Sequence, residues 1–111
     1  MDEGQIAFDA NDRLLTIWRR DKAIFAADET GEKLLAGQGL HPIVGFANGE
    51  TFHLWQRGSK LMFKKGQADA VVFAEGGAFA SVASGLANAT PLIVWESSMN
   101  GVKTILAQSP E

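Results

Sequence analysis

Phe46-Ala47-Asn48-Gly49-Glu50-Thr51-Phe52-His53-Leu54-Trp55-Gln56-Arg57-Gly58 reads as a strand end, a tight turn and a second strand that closes on tryptophan. Asn-Gly between alternating apolar runs is the strongest short hairpin signal, because both central residues of a type I′ turn need positive φ. Versions of the same unit lie on either side of it. Trp18, Trp55 and Trp95 are 37 and 40 residues apart, and each follows an aliphatic residue, Ile6, Ile43 or Val82, by 12 or 13 positions. Turn residues precede each tryptophan strand: Asn11-Asp12, Asn48-Gly49 and Ala87-Asn88-Ala89. A period near 40 with four short strands per unit is how a propeller blade looks in sequence.

Outward from the central hairpin the strands follow in order. In the first unit the runs are Ile6–Ala10, Arg13–Arg19, Ala23–Ala27 and Glu32–Ala36. The alanine-rich runs suit a helix by propensity, but none exceeds about six residues before a turn signal, and a helix needs roughly ten. The second unit continues through Lys60–Lys64 and Asp69–Ala74. The third runs through Ala78–Ala83, Pro91–Glu96 and Val102–Ala107, one strand short of four. The expected repeats are therefore 5–38, 41–75 and 78–108 of a single domain or propeller fragment spanning 1–111. In the second strand of each unit both alternating sets carry apolar groups, as expected of sheets covered on both faces. The expected fold is all-β: three four-stranded antiparallel blade-like repeats, the last incomplete, together half of a six-bladed β-propeller. A β-sandwich or barrel of about eleven strands is the competing reading.

Composition bounds the function classes. With 46% hydrophobic and 21% charged residues the chain of 111 residues can bury a core. A net charge of −3, with no basic block beyond Arg19-Arg20 and Lys64-Lys65, argues against a nucleic-acid surface. Cysteine is absent, which excludes disulfides and thiolate metal sites. No apolar run is long enough for a membrane helix. Met1-Asp2-Glu3-Gly4-Gln5 lacks the basic start of a leader. A soluble chain is expected, secreted or periplasmic if a leader has been removed.

The pattern of aliphatic strand, turn, apolar strand ending in Leu-Trp or Val-Trp, turn and strand resembles the sialidase-type β-propeller superfamily, whose blades often carry Asp-boxes. The resemblance covers nearly the whole chain. An intact Asp-box, Ser-x-Asp-x-Gly-x-x-Trp, is missing: Asp28-Glu29-Thr30-Gly31 places glycine one position late, with no following tryptophan. The resemblance implies an arginine triad, a tyrosine nucleophile with a glutamate partner and an acidic general acid. This chain has no tyrosine, and its only arginines are Arg13, Arg19, Arg20 and Arg57. No catalytic residue is carried over.

Arg20 and Arg57, each two residues after a tryptophan, and His53 are the candidate ligand-binding residues. Guanidinium forks suit a carboxylate or an anionic sugar, and an imidazole beside Trp55 on the same strand face suits a polar contact. Solvated strand ends and a packed histidine are the simpler readings. His41, ahead of Pro42, is a weaker candidate. Asp9-Ala10-Asn11-Asp12 clusters oxygens but lacks the glycine and glutamate of a calcium loop. Gly37-Gln38-Gly39 and Gly76-Gly77 lead into no helix that could bind a phosphate. No metal or cofactor is expected.

Three blades do not close a ring, since propellers use about four to eight. The partner expected is a second copy, completing six blades by a twofold, or the remaining blades of a longer chain. The first functional reading is a non-catalytic module acting through assembly and ligand or protein binding. The alternative is a glycosidase, sialidase-like enzyme or lyase whose site forms only between chains or with further blades.

Overall fold

A computed structural model describes residues 3–8, 11–47, 49–83, 92–99 and 101–109. All the regular structure in them is β-strand. The strands are β1 (Glu3–Phe8), β2 (Leu14–Arg20), β3 (Ala23–Asp28), β4 (Gly31–Ala36), β5 (Leu40–Ala47), β6 (Glu50–Arg57), β7 (Lys60–Lys65), β8 (Val71–Glu75), β9 (Gly77–Ala83), β10 (Leu92–Met99) and β11 (Val102–Gln108). They form three antiparallel meanders: β1–β4, β5–β8 and β9–β11. Their boundaries fall where the sequence repeats divide, with three strands described in the third.

Turn chemistry sets these hairpins. Gly49 holds φ +79, the left-handed geometry that the Asn-Gly reading requires, while Asn48, the other half of that turn, lies outside the described residues. The β2–β3 connection does the same without glycine, since Asp21 and Lys22 sit at φ 51 and 73. The expected turn at 87–89 also lies outside the described residues.

The sheets stack face to face with the second in the middle. β1 and β2 pack on β5, and β5, β6 and β7 pack on β9. Strand alternation sends successive β6 side chains to opposite neighbours. Trp55 joins Leu15, Ile17, Ile24, Ala26 and Val44 in a core against the first sheet. Phe52 and Leu54 join Ile43, Leu61, Phe63, Ile93 and Trp95 in a core against the third. An aromatic chain runs through the second core: Phe52–Phe63, Phe63–Phe73 and Phe73–Trp95 centroids lie 5.8, 5.4 and 5.3 Å apart.

Burial on both faces holds for the middle sheet and fails for the outer two. Trp18, spaced like the other two tryptophans, lies on the face of the first sheet that has no neighbour, stacked on its cross-strand partner Phe25 at 5.9 Å. It departs from the expectation of core packing because no described sheet lies against that face. Close approach between sheets is concentrated at Gly39. A Cβ there would lie 2.6 Å from Ile24 Cγ1 and 2.9 Å from Trp55 Cδ1, so the linker between the first two sheets needs a residue without a side chain.

Candidate functional site

Because β6 alternates, His53, Trp55 and Arg57 share one face, the one turned to the first sheet. Trp55 is buried in the seam between the two sheets, and His53 and Arg57 line two separate recesses, one at each mouth of that seam. Both are candidates from the sequence, and the structure places them on one strand face but at two separate recesses. Arg20 is elsewhere. It lies on the outward face of the first sheet, 4.4 Å over the Phe25 ring, and pairs with Glu32 at 3.3 Å.

The His53 mouth is a recess of about 290 Å³ lined by Asp28, Thr30, Glu32, Lys33, Thr51 and Gln67. His53 is 7% exposed, and its Nδ1 has no hydrogen-bond partner among the described residues. Burial pushes its pKa down to about 4, with Lys33 and Lys64 adding to the effect and Asp28 opposing it. The imidazole is therefore neutral around pH 7. Lys64, its cross-strand neighbour, is held by the carbonyls of Gly66 and Ala68 at 3.1 and 2.9 Å. Asp28 accepts hydrogen bonds from the Thr30 hydroxyl and from the Thr30 amide at 2.8 Å, which keep its carboxyl below the usual range. This mouth pairs a neutral imidazole with charged rim groups of both signs and is suited to a polar ligand.

The Arg57 mouth is different in kind. Arg19, Lys22, Gln38, Gln56 and Arg57 line a recess of about 250 Å³ that has no carboxylate among its described lining residues. The linker shapes it: Arg19 Nε donates to the Gly39 carbonyl at 2.7 Å, and the Gly39 amide donates to the Lys22 carbonyl at 2.9 Å. Three cations and two amides converging there can hold an anion by charge-assisted hydrogen bonds. Glu3 lies opposite Arg19 in the β1–β2 register but is bound to His41, whose Nδ1 is 2.8 Å and whose amide is 3.2 Å from its carboxylate. Burial opposes ionisation of Glu3, yet the hydrogen bonds from His41 and the nearby charges hold its pKa below the ordinary value.

Sequence reading missed Arg19, Lys22, Gln38 and Gln56. The signal for Arg19 was present in the Arg19-Arg20 doublet, since adjacent strand residues point to opposite faces and one of the two had to face the neighbouring sheet. Lys22 and Gln38 reach the recess from a turn and a linker, where no periodicity applies. Among the described residues no cluster of three or more His, Cys, Asp or Glu side chains is arranged to hold a metal ion, and no helix is long and apolar enough to cross a membrane. No family model, curated protein or solved structure matches this chain.

Proposed function

We propose that the chain is a non-catalytic β-propeller repeat module that works by assembly and by ligand or protein binding, its three sheets serving as half of a six-bladed ring. One observation carries this reading: both ends of the stack present open apolar sheet faces, with Ile6, Phe8, Leu14 and Trp18 at one end and Leu92 and Ile105 at the other. Apolar faces of that extent on a small domain mark sites of association. A second copy of the chain covers both at once. The ligand-binding part of the proposal belongs to the basic mouth of the cleft, where Arg19, Lys22 and Arg57 suit a carboxylate or an anionic sugar.

Light scattering behind a sizing column, over a dilution series, tests the reading. The expected particle is a dimer of about 24 kDa, twice the 11.9 kDa chain. A well-behaved monomer at every concentration refutes it.

A further inference from the structure

The register of the three sheets assigns each strand position a counterpart in the others. Trp18, Trp55 and Trp95 pair across to Phe25, Met62 and Leu106. One step along, Arg19, Gln56 and Glu96 pair with Ile24, Leu61 and Ile105. These last three aliphatic residues are counterparts, but their surroundings differ. Ile24 and Leu61 are 0% and 1% exposed, whereas Ile105 is 67% exposed.

The difference has one source. Each buried member lies under the tryptophan of the following sheet, beside a glycine at the entry to that sheet. A Cβ on Gly39 would touch both Ile24 and Trp55; a Cβ on Gly77 would lie 3.0 Å from Leu61 Cγ and 3.1 Å from Trp95 Cδ1. Aliphatic, glycine and tryptophan thus converge identically at both junctions inside the chain. Among the described residues Ile105 has no tryptophan above it, and Trp18 has no aliphatic residue from another sheet beneath it. We infer that the outward face of the first sheet docks on the outward face of the third sheet of a second copy, seating Trp18 over Ile105. The inference rests on the ring-closing reading above and specifies which faces meet.

Other positions agree. Ile6 and Phe8, 65% and 57% exposed, are the counterparts of Val44 and Phe46, which pack in the core against the first sheet. Leu92 and Val94 are the counterparts of Phe52 and Leu54, and of Leu15 and Ile17, all four of them buried. A groove of about 490 Å³ along Gly4, Ile6, Thr16 and Trp18 offers room for an incoming aliphatic side chain. Charge agrees as well. The positions held by Arg19 and Arg57 at the first internal junction are held across the proposed contact by Glu96 and Arg20, groups of opposite sign that pair within their own sheets with Lys103 and Glu32. A contact between two first sheets would instead leave Ile105 bare. The proposed contact joins two different faces, and a twofold repeats it so that two copies close on each other.

Trp18→Asp and Ile105→Asp, purified separately and then mixed, test the pairing. Each variant alone is expected to lose dimer affinity at least tenfold, because both junctions of its homodimer contain one damaged face. The equimolar mixture is expected to recover a heterodimer, because one junction then joins two intact faces. Circular dichroism checks that each variant folds. As a second measurement, Trp18→Cys and Ile105→Cys in separate copies of this cysteine-free chain should cross-link on mild oxidation. If Ile105→Asp dimerises like wild type while Trp18→Asp does not, first sheets pair with each other: the face assignment fails and assembly stands. A monomeric wild type sinks both, and points to flanking sequence as the cover.

Discussion

Trp55→Ala is the perturbation that most directly tests the stacked-sheet core. The indole is 2% exposed, is packed with Leu15, Ile17, Ile24 and Val44, and lies where Gly39 lets the linker pass closest. Truncation removes a large buried ring and leaves a void that two hydrogen-bonded sheets cannot collapse to fill, a loss of about 3–5 kcal/mol. Against a typical domain stability of roughly 5–15 kcal/mol this is a large fraction. With a urea slope near 2 kcal/mol per molar, a loss of about 4 kcal/mol moves the unfolding midpoint down by ~2 M. Trp18→Ala is the internal control, measured at a concentration where the chain is monomeric. It forfeits mainly the stacking on Phe25, worth about 0.5–1.5 kcal/mol. Urea melts of the two variants followed by far-ultraviolet dichroism read the difference. A loss below about half a kilocalorie for Trp55→Ala, or one no larger than that of Trp18→Ala, refutes the assignment of Trp55 to the core between the first two sheets.

Two further perturbations probe the cleft and the central turn. The folded state holds His53 at a pKa of about 4, below its unfolded value near 6.5, so the unfolded chain binds the extra proton first. The stability due to keeping His53 neutral is complete above pH 6.5 and drains away as pH falls towards 4, by on the order of 3 kcal/mol in total. His53→Gln should flatten that part of the stability–pH curve, and unchanged slopes in urea melts between pH 7 and 4 would show that His53 is not the group responsible. Gly49→Val forces a β-branched residue to φ +79 in otherwise open space, so conformational strain alone should cost about 1–2 kcal/mol. An unchanged melting temperature would mean that the turn relaxes to another geometry.

Strands and repeats were legible because both depend on local spacing. Period-two alternation and turn residues placed the strands, and Trp18, Trp55 and Trp95 fall one in each of the three sheets. What each strand face meets was not legible, because the answer lies in the neighbouring sheet. Trp18 and Trp55 share a sequence context, yet one is outward and the other buried, since only the second has a sheet in front of it. Arg20 and Arg57 part for the same reason. The aliphatic markers chosen by spacing, Ile6, Ile43 and Val82, are also not strict counterparts: register matches Ile6 with Val44 and Val82, so the count slipped by one residue in the middle unit. The basic recess escaped notice because Arg19, Lys22 and Gln38 meet Arg57 only through the approach of two sheets across a linker.

A row of three sheets has a middle and two ends, and this carries a consequence for opening motions. Among the described residues the two cores lie between neighbouring sheets in the row, so stability behaves as a sum of sheet terms and junction terms. The first or third sheet can peel away at the expense of one junction, but the second leaves only by breaking two. Amide hydrogens of β6 and β7, whose side chains feed both cores, should therefore exchange by the rarest opening of the molecule, and those of β4 and β11 by frequent partial ones. Covering the two end faces would turn both ends into interior positions, and the gradient of protection along the row would level out.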